Sequence, residues 1–82
     1  MQYFKRQTNE QVFILQYTGD NLIDLIPFLG NKFLSAPVNG RIQFTSLVGT
    51  KTITKGIYLI KNFKADIESC HPDNLNKLYE KR

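Results

Sequence analysis

Apolar positions run almost unbroken from Val12 to Tyr17 (Val-Phe-Ile-Leu-Gln-Tyr), with β-branched and aromatic side chains prominent. Such a run predicts a strand covered on both faces, and therefore central in its sheet. Thr18-Gly19-Asp20-Asn21 follows with turn chemistry and N-cap oxygens, after which Leu22, Leu25, Ile26 and Leu29 recur at helical spacing on one face. Gly30 suits a left-handed stop after that helix. Pro27, inside it, removes one backbone hydrogen bond and crowds the preceding turn, which predicts a short or kinked helix.

Beyond Gly30 the period falls to two. Lys32 to Ala36 is a candidate strand, Asn39-Gly40 a hairpin turn, and Arg41 to Leu47 alternates with Ile42 and Phe44 on one face. Val48-Gly49-Thr50 marks a further turn. Lys51 to Thr54 and Ile57 to Ile60 read as strands interrupted at Gly56, with a weaker strand from Ala65 to Ser69. Pro72-Asp73 opens a closing helix, with Pro in the first turn or Asp as the cap, and Leu75, Leu78 and Tyr79 follow at helical spacing. The expected fold is α+β: a small antiparallel sheet or meander, one helix after the first strand and a short C-terminal helix, in a single domain over 1–82.

The composition agrees with a packed core, since 41% of residues are apolar, only 22% are charged, and six Phe and four Tyr are present. Cys70 is the single cysteine, so neither an intramolecular disulfide nor a thiolate-rich zinc site can be built, and a reducing compartment is the expected home. The charged start Met1-Gln2-Tyr3-Phe4-Lys5-Arg6 has no signal-type apolar core behind it. No stretch approaches the roughly 20 apolar residues of a membrane span, so no membrane association is expected.

The net charge of +4 is unevenly spread. Between Asp24 and Asp66 lie Lys32, Arg41, Lys51, Lys55, Lys61 and Lys64 with no acid among them. Lysines around aromatic rings on a sheet make a platform for phosphates, stacked bases or an acidic protein surface. The candidate contact residues are Arg41, Lys51, Lys55, Tyr58, Lys61 and Lys64, with Phe63 between the last two. The same lysines also serve the plainer purpose of keeping strand edges soluble, and the aromatic signatures of sheet-based RNA binders are missing.

Catalytic chemistry is hard to assemble. His71 adjoins Cys70, but there is no second histidine or cysteine for a metal shell, and neighbours along the chain do not converge as a nucleophile and its base must. Asp20 and Asp24, at i,i+4 spacing, suit the N-terminal end of a helix through capping and the macrodipole. One glycine in Thr18-Gly19-Asp20 falls short of a phosphate-cradling loop. The expectation is a non-enzyme with no cofactor and no metal.

The basic start, the turn Gln16-Tyr17-Thr18-Gly19-Asp20-Asn21, the helix end Phe28-Leu29-Gly30, the segment Gly56-Ile57-Tyr58-Leu59-Ile60-Lys61 and the stretch Cys70-His71-Pro72-Asp73 leading to Leu78-Tyr79-Glu80 resemble a family of small, mostly uncharacterised proteins of tailed phages and prophages. The likeness spans nearly the whole chain. It departs at Ile57, where the family commonly has Asp, at His71, where it has Lys, and near Ala65, where its turn carries Gly. The resemblance implies a bacteriophage origin and a host-cytoplasm setting, and supplies no catalytic residues.

Together these features lead to an expected function: a phage accessory protein that binds a host factor stoichiometrically, for instance a defence protein or an anionic nucleotide signal. A nucleic-acid-binding protein using the basic strands is the alternative, and a virion assembly component a further one. The small core and free strand edges also leave room for a homo-oligomer.

Overall fold

The computed structural model describes residues 2–82; Met1, which opens the basic start, and the side chains of residues 35–38 lie outside the description. The elements are β1 (Tyr3–Lys5), β2 (Gln11–Gln16), α1 (Leu22–Leu29), β3 (Phe33–Val38), β4 (Arg41–Ser46), β5 (Gly49–Ile53), β6 (Tyr58–Lys61), β7 (Ile67–Cys70), α2 (Pro72–Leu78) and β8 (Tyr79–Lys81), with a 3-10 turn at Gly30–Lys32 between α1 and β3. The architecture is α+β, dominated by antiparallel sheet. Five strands form one sheet in the order β7-β6-β2-β1-β8, and β3-β4-β5 form a second.

The apolar run of β2 is the middle strand of the larger sheet, and its alternation feeds two cores. Leu15 and Tyr17 face α1 and the smaller sheet, where they meet Leu25, Leu29, Ile42, Phe44, Ile53, Leu59 and Ile67. Val12 and Ile14 face the other way, toward Ile60, Cys70, Leu75 and Tyr79. The five-stranded sheet is therefore the middle layer, with α2 on one face and α1 plus the three-stranded sheet on the other. Leu25, Ile42, Phe44 and Leu59 are completely buried. Each contributes about 1.5–3 kcal/mol of apolar transfer free energy.

Turn chemistry places the strands. Asn39 and Gly40 both have positive φ, 54° and 75°, as a two-residue turn matched to strand twist requires. That turn sets Ile42 and Phe44 on the inner face of β4. The next hairpin turns at Leu47-Val48, earlier than the sequence suggests, and β5 begins at Gly49. Ser46 Oγ accepts from the Val48 amide at 3.3 Å and donates to the Gly49 carbonyl at 2.8 Å, which stabilises this early turn.

Helix α1 is short, eight residues with Pro27 inside, and ends at Gly30 with φ 59°. Its N-cap position is Asn21, yet no side chain caps it. Asn21 instead accepts from the Thr18 amide and donates to the Gln16 carbonyl, while Asp20 accepts from the Thr18 hydroxyl. The capping role expected of Asp20 is thus replaced by a turn role, and Asp24 remains in the first helical turn. At α2 the cap is His71, whose Nδ1 accepts from the Asp73 amide at 3.3 Å, with Pro72 in the first turn.

Two strands escape the periodicity. β1 pairs with β2 and with β8, and Tyr79, expected to continue the last helix, begins β8. The middle segment, expected as one meander, is divided: β3, β4 and β5 form their own sheet, whereas β6 and β7 extend β2.

Candidate binding surface

Cross-strand register determines which face each candidate side chain occupies. Lys61 lies opposite Phe13 on β2 and Ile67 on β7, so all three share the face toward α1. Phe13 is 46% exposed and meets the 69% exposed Phe63 edge-to-face, with ring centroids 5.7 Å apart. The Lys61 ammonium donates to the Phe28 carbonyl at 2.9 Å and lies 5.3 Å from the Phe28 ring centroid. A cation at the end of α1 is favoured by the helix dipole as well as by the ring.

The β6–β7 turn that carries Phe63 is itself fixed. Asn62 Oδ1 accepts from the amides of Lys64 and Asp66 at 2.9 and 3.0 Å, and the Ala65 amide donates to the Asn62 carbonyl at 3.0 Å. Ala65 takes φ 64°, the left-handed region that favours glycine. Lys32 closes the turn from the other side, donating to the Ala65 carbonyl and lying 4.0 Å from the Asp66 carboxylate. Lys64 is left exposed beside Phe63. Phe13, Phe28, Phe63, Lys32, Lys61 and Lys64 thus converge where β2, α1 and the β6–β7 turn meet.

The other candidates lie elsewhere. Arg41 alternates with Ile42 and so projects from the outer face of the smaller sheet, with Gln43 and Thr45. Lys51, opposite Phe44, sits on the inner side at an exposed rim. Lys55 lies in the β5–β6 turn with its stem against Gly19, where an added Cβ would meet Lys55 Cδ at 3.3 Å. Tyr58 is half-buried on the α2 side, opposite Cys70 and Gln16, on the face away from Lys61. Lys61 and Lys64 are brought together with Phe63; Arg41, Lys51, Lys55 and Tyr58 do not join them. Phe13 and Phe28 were hidden from sequence reasoning, because an apolar run and an apolar helix face read as core.

Compared with known proteins, the chain matches no family model, no curated protein and no solved structure.

Cys70 and His71 have structural roles. Cys70 is 6% exposed, and burial, then the Glu68 charge, pushes its thiol above its ordinary range. A thiol so placed is a poor nucleophile at neutral pH. Among the described residues no three His, Cys, Asp or Glu side chains are grouped to hold a metal ion, and no helix is long and apolar enough to cross a membrane.

Proposed function

We propose that the protein is a phage-encoded, non-catalytic accessory factor that binds a host component stoichiometrically in the host cytoplasm, with Phe13 and Phe63 as anchors and Lys61 and Lys64 around them. The observation that carries this reading is the exposed edge-to-face phenylalanine pair on a frame already fixed by Lys61, Asn62 and Lys32. Aromatic anchors surrounded by cations, with little ordering left to do on association, fit a partner surface that is apolar at its centre and acidic at its margin. The phage origin rests on the resemblance described above.

A polynucleotide partner fits less well. Arg41 lies on the outer face of the smaller sheet and Lys55 packs along Gly19, so the candidate cations do not line one continuous path for a phosphate backbone. The test is capture from bacterial lysate with wild type and with Phe13→Ser, Phe63→Ser and Lys64→Glu. A saturable partner retained by wild type and lost by all three variants, at unchanged thermal midpoints, supports the proposal. Binding that disappears between 50 and 200 mM salt and survives both Phe substitutions would favour nucleic acid. Failure to recover any saturable partner would sink the proposal.

A further inference from the structure

The smaller sheet ends in β5, which pairs with β4 alone. Four of its five residues, Gly49 to Thr52, are exposed. The register along β4 shows what that edge presents. Asn39-Gly40 joins β3 to β4 with Val38 opposite Arg41, and the residues that close a two-residue turn are hydrogen bonded to each other. Bonded and non-bonded pairs alternate from there. Arg41 and Gln43 therefore direct their main-chain groups to β3, and Ile42, Phe44 and Ser46 direct theirs to β5. The residues opposite on β5 are Ile53, Lys51 and Gly49. Thr50 and Thr52, between them, turn their N–H and C=O groups outward. Among the described residues these groups have no partner.

The side-chain positions along this edge are equally specific. Lys51 lies exposed at the rim of the inner face and makes no ion pair among the described residues. Leu47 and Val48, at the hairpin tip, are 75% and 80% exposed and share with Lys51 a cleft of about 310 Å³. Gly49, between the tip and Lys51 along the chain, leaves its side of the strand open, since an added Cβ would meet nothing within 4 Å. A second copy of this chain is a poor occupant. Antiparallel pairing through both Thr50 and Thr52 would set the two Lys51 side chains directly opposite each other, and like charges so placed repel.

We infer that β5 is a strand-addition site for an acidic extended segment of another protein: its main chain pairs with Thr50 and Thr52, a carboxylate faces Lys51, and an aromatic side chain two residues further on covers Gly49 against Leu47 and Val48. Main-chain pairing supplies affinity in this mode, and the side-chain positions beside the edge supply selectivity. An aromatic ring is a recurrent cover for an edge glycine. The other edges are less suited. Ile67 of β7 is only 1% exposed, β3 contains Pro37, and β8 carries Glu80 and Lys81 in a three-residue strand. The inference stands apart from the Phe13–Phe63 surface and holds or fails independently of it.

The probe is a capped peptide, threonine-valine-threonine-glutamate-threonine-tyrosine-threonine, whose glutamate falls opposite Lys51 when the threonines beside it face Thr50 and Thr52. Amide exchange and chemical shifts are followed in isotope-labelled protein. Saturating peptide is expected to slow exchange of the Thr50 and Thr52 amides about tenfold or more, and to change those of Lys51 and Ile53, already bonded to β4, far less. Replacing the glutamate by lysine should weaken binding about two- to fivefold, and Lys51→Glu should reverse that preference. N-methylation of the two facing threonines removes their donors and should abolish the protection with the protein itself unchanged. No shifts at millimolar peptide, binding without protection of Thr50 and Thr52, equal binding of the N-methylated peptide, or a charge preference that Lys51→Glu leaves in place would overturn the inference. So would concentration-dependent protection of the same amides without peptide, which would assign the edge to a second copy of this chain.

Discussion

The Lys61 ammonium ties β6 to the end of α1 by donating to the Phe28 carbonyl at 2.9 Å, and the Phe28 ring lies within cation–π reach at 5.3 Å. One side chain therefore joins a strand to a helix whose own last turn carries no basic residue. Replacing Lys61 by Met keeps the apolar stem and removes the charge. A charged hydrogen bond and a ring contact at a half-buried site together suggest a loss of about 1–2 kcal/mol. Urea denaturation checks it; an unchanged midpoint would show that water replaces the contact at no cost.

Ala65 holds a left-handed conformation at φ 64° in the turn that carries Phe63. An L-residue with a Cβ pays about 1–2 kcal/mol there, whereas glycine avoids the strain but loses about 0.5–1 kcal/mol of chain entropy. Ala65→Gly is accordingly expected to stabilise the fold by about 0.5–1 kcal/mol, and Ala65→Val to destabilise it. Thermal unfolding of the two variants gives the sign directly.

At Gly19 the backbone takes φ 95° and the stem of Lys55 lies close by. Gly19→Ala adds backbone strain to a contact in which the lysine stem must give slightly. We expect a loss of about 1–2 kcal/mol. Adding Lys55→Ala should recover only the small steric part, leaving most of the loss in place. Near-complete recovery in the double variant would mean that side-chain crowding, and not φ, dominates.

Burial above all, and then the Glu68 carboxylate, raises the pKa of Cys70 and of Tyr79 above their ordinary values of 9.0 and 10.0. The fold favours the neutral form of each. The unfolded chain releases these protons first as pH rises, so the stability they contribute is complete below about pH 9 and is lost as pH climbs through their ordinary values toward the raised ones. The thermal midpoint should fall in that window. Tyr79→Phe, which forgoes the 3.4 Å hydrogen bond to Glu68, should start slightly lower and decline less steeply. Equal slopes for the two proteins would refute the assignment to Tyr79.

Much of the fold was legible because local chemistry and tertiary demand agree. The β2 run is central, Asn39-Gly40 turns a hairpin, and Ile42 and Phe44 are inside. The departures in strand order and in the last helix share one cause, which is pairing across long sequence separations. β1 is three residues long and gains its partners from β2 and β8. Tyr79 follows helical spacing but is captured by β1, so its register is set by Lys5. The candidate surface was partly legible for a similar reason. Lys61, Phe63 and Lys64 are consecutive enough to be seen together, whereas Phe13, Phe28 and Lys32 reach them only through packing. Face assignment separated Arg41 and Tyr58 from that cluster, because one-residue differences in strand parity reverse the direction of a side chain, whereas Lys51 shares the inner side of the smaller sheet but lies at its rim.

The meeting of the first and last strands has a consequence for how the molecule is made. Gln2 and Arg82 exchange main-chain hydrogen bonds at 2.8 and 3.2 Å, and the Arg82 guanidinium lies 4.4 Å from the Phe4 ring centroid. During synthesis β1 emerges first and must wait, edge exposed, until the residues of β8 have left the ribosome. The α1 core can assemble earlier, from β2 through β7, because all its members lie between positions 15 and 67. The α2 core, which needs Tyr79, closes last. Joining the two ends by a short linker and opening the chain at Leu47-Val48 would reverse that order without removing a single strand pairing.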